Sequence, residues 1–169
     1  MFKCQPGYTL RKIKGISYLL PYGQQIADLK QGFVLNAVEK GSNPWGCTDY
    51  LNQKKKILET GADVSELMND YPVHTKAVLI DDRLSVAGSY NLDMRSTYLD
   101  TELMLVIDSE KLSQQIHETE SDYMEKSKEV LANGQETEGA KYQKKVLNWK
   151  KKLYYGMLRI VIRPLRQLL

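Results

Sequence analysis

The sequence predicts an α/β fold, a mixed β-sheet flanked by helices, and three observations carry that prediction. Short apolar stretches of strand length recur at Gly32 to Val38, Ala62 to Met68, His74 to Ile80, Leu84 to Ser89 and Thr101 to Ile107, with turn formers between them. Stretches with helical recurrence of apolar residues lie among and after these strands. The 169 residues, 42% hydrophobic and 27% charged, match a soluble globular chain long enough to build its own core.

In chain order, Ile16 to Leu20 reads as the first strand and Gly32 to Val38 as the second. Lys40 to Cys47 reads as a loop, with Gly41, Asn43, Pro44 and Gly46 as its turn formers. Thr48 is placed to N-cap a helix running to about Glu59, and Gly61 fits its C-terminal stop. Asp81-Asp82-Arg83 is the turn joining the strand of His74 to that of Leu84. After Asp108 the apolar residues Leu112, Ile116, Tyr123, Met124, Val130 and Leu131 take helical spacing, with Ser109 as the cap and Asn133-Gly134 as the stop. Residues 134–140 then read as a polar linker, and a basic, apolar helix comes after it from about Tyr142, interrupted at Pro164. The expected organisation is a catalytic half-domain over residues 1–133, the linker at 134–140, and a basic amphipathic tail at 141–169.

The net charge of +3 hides an asymmetry. From Lys141 to Leu169 there are nine Lys or Arg and no Asp or Glu, which leaves 15 basic and 21 acidic residues in the first 140. The basic character therefore belongs to the tail. Cys4 and Cys47 lie far apart with no paired spacing, so they form neither a disulfide framework nor a metal cluster and fit a reducing compartment. The basic start lacks the apolar run of a secretory signal. No uninterrupted apolar stretch reaches the roughly 18 residues of a membrane span.

The segment from His74 to Glu102 carries the chemistry. His74 and Lys76 are two apart on an expected strand, so an imidazole and a fixed cation leave the same face. The returning strand ends in Gly88-Ser89-Tyr90-Asn91, which brings a hydroxyl and a carboxamide to the same neighbourhood. A cation, a hydroxyl and an amide donor suit the neutralisation and orientation of phosphodiester oxygens. An imidazole near neutral pH can attack phosphorus or protonate a leaving alcohol. Glu102 is a carboxylate able to hold the other ring nitrogen and fix the tautomer.

His74-x-Lys76-x4-Asp81-x6-Gly88-Ser89-x-Asn91 resembles the HKD signature of the phospholipase D superfamily at every fixed position. The continuation Asn91-Leu92-Asp93-x-Arg95-Ser96-x-x-Leu99-x-x-Glu102 resembles the bacterial cardiolipin synthase branch, in its C-terminal half. Asp100 is a departure, since that branch often has Asn there. The tail, with Trp149 and a closing Pro-x-x-x-Leu-Leu, resembles the same branch.

The resemblance implies a phospholipase D-like half-domain and a phosphatidyltransferase working through a phosphohistidine. His74 is then the nucleophile or the general acid, Lys76 and Asn91 bind phosphoryl oxygens, Ser89 lies close to the phosphate, and Glu102 orients His74. Asp81 holds the turn, Gly88 belongs to the motif, and Asp93 with Arg95 forms a local ion pair that shapes the loop. Neither a cofactor nor a metal is implied. The family site needs two motifs, and this chain has one, so a second HKD half-site is expected from an N-terminal half or a homodimer mate. The alternatives are a homodimeric phosphodiesterase or endonuclease, or an inactive fragment without its partner.

Outside the motif, His117 lacks partners at a telling spacing and reads as a surface residue, and Lys54-Lys55-Lys56 reads as a solvated helix face. Trp45 is placed equally well in the core or at a substrate entrance. Trp149, Tyr154, Tyr155, Leu158, Ile160, Val161, Ile162 and Leu165 stand among cations without acids. That mixture suits an anionic membrane surface better than nucleic acid. The expected setting is peripheral, on the cytoplasmic face of a membrane, with phospholipid as substrate.

Overall fold

The computed structural model of the chain describes residues 9–11, 32–80, 83–91 and 93–165. In chain order its elements are β1 (Thr9–Arg11), β2 (Gly32–Asn36), α1 (Pro44–Glu59), β3 (Asp63–Leu67), β4 (Ala77–Ile80), β5 (Leu84–Gly88), α2 (Met94–Tyr98), β6 (Met104–Asp108), α3 (Glu110–Glu125), β7 (Ser127–Val130), β8 (Glu136–Glu138) and α4 (Trp149–Leu165). The strands form one eight-stranded sheet in the order β6-β5-β4-β1-β2-β3-β7-β8. The pairs β1–β4 and β2–β3 are parallel and the rest antiparallel, so the sheet is mixed and carries helices, as the sequence predicts. The strand expected at Ile16 to Leu20 and the turn residues Asp81 and Asp82 lie outside the described residues.

Every residue of β3 is buried, as parallel strands covered on both faces should be. Its polar members are accordingly bonded. The Asp63 carboxylate accepts the Ala132 amide at 3.0 Å. The Glu66 carboxylate accepts the Tyr50 hydroxyl at 2.6 Å and the Lys54 ammonium at 2.7 Å, and Lys128 approaches it at 3.2 Å. Lys54 is thus a partner of a buried acid, whereas Lys55 and Lys56 keep the exposed position expected of that run.

The helix expected from Thr48 begins four residues earlier. Asn43 is its N-cap, its side chain accepting the Trp45 amide at 3.1 Å, and Pro44 takes the first helical position. Proline has no N–H to lose there, so Asn-Pro starts the helix instead of prolonging the loop. Thr48 lies buried inside the first turns, where its hydroxyl donates to the Pro44 carbonyl at 2.7 Å. Trp45 therefore sits on the helix, 41% exposed. The stop comes as expected at Gly61, whose φ of +85° suits glycine.

A second correction concerns Val130 and Leu131. The helix α3 is capped by Ser109 but ends at Glu125, and Ser127–Val130 turns back to pair antiparallel with β3. The free edge of β3 offers ladder hydrogen bonds that outweigh the helical spacing of two apolar residues. Asn133-Gly134 is then the tip of a hairpin, with Gly134 at φ +82° and the Leu131 amide bonded to the Gln135 carbonyl at 2.9 Å. The stretch expected as a linker holds β8, the second arm of that hairpin.

The last helix starts at Trp149, seven residues after the expected point, and runs to Leu165 with Pro164 inside its final turn. One side packs onto α1. Tyr155 enters the core cluster of Leu35, Val38, Cys47, Tyr50 and Val64, and Ile162 is fully buried. Asn52 and Arg159 fasten the two helices, the guanidinium donating to Asn52 Oδ1 at 2.9 Å and Asn52 Nδ2 to the Arg159 carbonyl at 3.2 Å. Burial beside Tyr155 pushes the Cys47 thiol up to about 11, so it stays a protonated core residue at neutral pH. Cys4 lies outside the described residues.

Candidate active site

The residues singled out in the sequence gather at one end of the hairpin β4–β5 and its neighbour β6. Regular pairing starts at Ala77↔Ala87, later than expected, because β5 ends at Gly88. His74 and Lys76 form an extended lead-in to β4, tied to the ladder by the Gly88 amide donating to the Lys76 carbonyl at 3.2 Å. The expected shared face holds. Lys76 Nζ lies 2.9 Å from both ring nitrogens of His74 and donates to the His74 carbonyl at 3.0 Å. Lys76 is 8% exposed, while the His74 ring stands at the surface.

Partial burial, and then the charge of Lys76, hold the His74 pKa below the ordinary imidazole value. Both causes favour the neutral ring, which is the nucleophilic form. In the chain with Lys76→Met the charge is gone and the His74 midpoint should rise toward 6.5, as read by NMR titration of the ring nitrogens. A midpoint that does not move would refute this account of the pair.

Gly88 is required by close approach. A Cβ there would lie 2.0 Å from the Leu103 carbonyl oxygen, so any side chain would push β6 away. The next residue uses that proximity. The Ser89 amide donates to the Leu103 carbonyl at 3.0 Å, and the Ser89 hydroxyl accepts the Leu103 amide at 3.0 Å. The same hydroxyl donates to the Glu102 carboxylate. Glu102, expected to hold the His74 ring, is therefore paired with Ser89, and both ring nitrogens of His74 face Lys76 instead. The reason is register: Ser89 lies just after Gly88, Glu102 lies two residues before Met104, and Gly88 and Met104 are paired across adjacent strands.

Asn91 is half-buried, with Nδ2 3.4 Å from the Ser96 hydroxyl. Its Oδ1 is buried and has no partner among the described residues. An unmet buried acceptor costs about 1–3 kcal/mol, which makes this carboxamide a place that a water or ligand would complete.

The expected ion pair of Asp93 with Arg95 does not form. Asp93 caps α2 by accepting the Ser96 amide at 2.7 Å, and Arg95 pairs with Asp100 at 2.8 Å. An Asp just before a helix is drawn to its free amides, which leaves the arginine to the acid after the helix. Asp100, a departure from the branch pattern, is thus the arginine's partner. Asp81 lies outside the described residues.

One residue near the site was not singled out in the sequence. Asn36, 8% exposed, donates to the Val73 carbonyl at 2.7 Å and accepts the Val73 amide at 2.8 Å, next to His74. The pair is 37 residues apart in sequence, and no local pattern announces it. His117 is exposed, with Glu120 at 3.6 Å. It lines an open groove of about 400 Å³ with Arg83, Glu110, Ser113 and Gln114, at the opposite end of the hairpin from His74. Among the described residues, no group of His, Cys, Asp or Glu is placed to hold a metal ion.

The family model described as "Cardiolipin synthase, PLD-like domain" matches residues 25–122, more than half of the chain and the whole of this site. The chain belongs to the phospholipase D superfamily, in its cardiolipin synthase-like branch. Similar relatives include Cardiolipin synthase A of Proteus mirabilis, 40% identical over 75 residues, or 44% of this chain and 15% of the relative. Cardiolipin synthase A of Buchnera aphidicola is 37% identical over 73 residues, 43% of this chain and 15% of the relative. That of Pectobacterium carotovorum is 32% identical over 100 residues, 59% of this chain and 19% of the relative. The chain thus spans less than a fifth of the length of these curated relatives.

Proposed function

We propose that this chain supplies one half-site of a phosphatidyltransferase of the cardiolipin synthase type. The observation that carries the reading is the His74–Lys76 pair set beside Ser89, Asn91 and Glu102 at one end of three adjacent strands. In the proposed reaction His74, or its counterpart in the second half-site, attacks the phosphorus of a phospholipid. The bond from phosphorus to the headgroup oxygen breaks, and the other histidine protonates the departing alcohol. A phosphohistidine carrying the lipid remains. The histidine that protonated the first alcohol then takes the proton of a phosphatidylglycerol hydroxyl, or of a similar acceptor, whose oxygen attacks that phosphorus and releases the imidazole. Lys76 and the Asn91 amide bind the phosphoryl oxygens as charge develops on them.

The second half-site, from an N-terminal half or a homodimer mate, is proposed to sit against β6. That strand ends the sheet, and Leu105 and Val106, consecutive and so on opposite faces, are 59% and 71% exposed. Tyr98, Leu99 and Leu103 extend this apolar margin right beside Ser89 and Glu102. The test is incubation of the chain with phosphatidylglycerol in mixed micelles. Cardiolipin and glycerol in equal amounts support transfer. Phosphatidic acid alone makes the site a hydrolase, and cleavage of oligonucleotides would favour the phosphodiesterase reading.

The outer side of α4 supports a peripheral setting on an anionic membrane, proposed at the cytoplasmic face. Trp149, Leu153, Met157, Ile160 and Val161 are exposed there, with Lys150, Lys151, Lys152 and Arg163 beside them. None of the described helices is long and apolar enough to cross a membrane. Each cation near an anionic surface contributes ~1 kcal/mol, so changing Lys150, Lys151 and Lys152 to Gln should weaken vesicle binding on the order of 100-fold. Sedimentation with phosphatidylglycerol vesicles measures it. Equal binding by the triple variant, or equal binding to neutral vesicles, would overturn this setting.

A further inference from the structure

We propose that Asn36 is a positioning residue for His74, its carboxamide fixing the backbone from which the imidazole is presented. The catalytic consequence rests on the proposed function; the geometry does not. Asn36 is the last residue of β2, a strand held between β1 and β3 inside the sheet. Its carboxamide is buried, and both of its hydrogen-bonding directions are spent on Val73. The stretch from 69 to 76 has no regular secondary structure. Among the described residues, the backbone of 69–75 meets the sheet through this pair of bonds, and Lys76 is where the ladder resumes.

The exposed contact of Lys40 with Asp70 at 3.5 Å adds little, as surface pairs do. The two amide bonds thus act as one extra rung between an inner strand and the catalytic segment. Lys76 holds the His74 carbonyl from the other side at 3.0 Å. With Val73 and the His74 carbonyl both held, the side-chain torsions are what remains for the imidazole to vary.

The test uses the full chain with nitrogen-labelled histidine, in which the His74 ring is followed by NMR titration. In Asn36→Ala the His74 midpoint is expected to rise toward 6.5 as the ring leaves Lys76. A His74 midpoint unchanged from the parent chain would overturn the proposal. Amide exchange in the unsubstituted chain needs no variant: Val73 is expected to exchange more slowly than Tyr71, and equal rates would overturn the proposal even where Asn36→Ala does not fold. With phosphatidylglycerol as substrate, Asn36→Ala should lower kcat on the order of 10- to 100-fold and leave KM in place, as expected of a displaced reacting group. Unchanged kcat, or a change confined to KM, would also overturn it. Absence of His74-dependent turnover in the parent chain would instead count against a paired site built by this chain alone, leaving the titration and exchange results to stand.

Discussion

Replacing His74 by alanine is expected to abolish phosphatidyl transfer and leave the fold intact. The side chain stands at the surface, so its loss opens no cavity, and stability should shift by no more than about 0.5 kcal/mol. The size of the kinetic loss discriminates between its two roles. Removing a general acid costs roughly 10²- to 10⁴-fold, whereas removing a nucleophile that acts as a unit with its partners reaches about 10⁶-fold. A residual rate in the first range makes His74 the proton donor and its counterpart the nucleophile. A rate indistinguishable from the uncatalysed one makes His74 the attacking group. Turnover at the parental rate would remove it from the chemistry altogether.

Glu66→Leu is expected to destabilise the fold by about 3 kcal/mol in urea unfolding. Breaking a buried ion pair by removing one partner costs about 3–5 kcal/mol, and the low end applies because Lys54 and Lys128 keep part of their solvent. Both ammonium groups and the Tyr50 hydroxyl would be left facing an apolar side chain. The same group makes stability depend on pH. Burial raises the Glu66 pKa, but the hydrogen bonds from Lys54 and Tyr50 and the charges of Lys54 and Lys128 prevail and hold it below its ordinary 4.5. A depressed carboxylate contributes its full stabilisation above that ordinary value and loses it as pH falls through the lower folded value. Glu66→Gln should therefore be less stable than the parent at pH 7, with the gap closing in acid. A gap that stays constant from pH 7 down to acid would contradict this.

Much of the site was legible because its residues lie within one continuous stretch, His74 to Glu102, whose spacing sets strand faces directly. The shared face of His74 and Lys76 and the antiparallel return through Leu84 are local consequences of period-two geometry. What was missed depends on partners remote in sequence. Glu102 was assigned to His74 because both belong to the motif, yet strand register hands it to Ser89. Asp93 and Arg95 looked like a pair until the free amides of α2 claimed the aspartate. Val130 and Leu131 fit a helical period, and only the unpaired edge of β3 draws them into a strand. Asn36 carries no local mark, since its meaning comes from Val73, across a helix and a strand. Asn43-Pro44 is a different kind of miss: the same two residues signal a turn or a helix start, and the helix-compatible run from Trp45 onward decides between them.

The most direct test of the central claim is mass analysis of lipids from cells lacking cardiolipin, expressing this chain with His74 or with His74→Ala. Cardiolipin that appears with His74 and is missing with His74→Ala is the predicted result, and it would also mean that the chain assembles a paired site from its own copies or with a resident partner. Cardiolipin in neither strain would contradict a paired site assembled without a further half, and cardiolipin in both alike would contradict phosphatidyl transfer at His74.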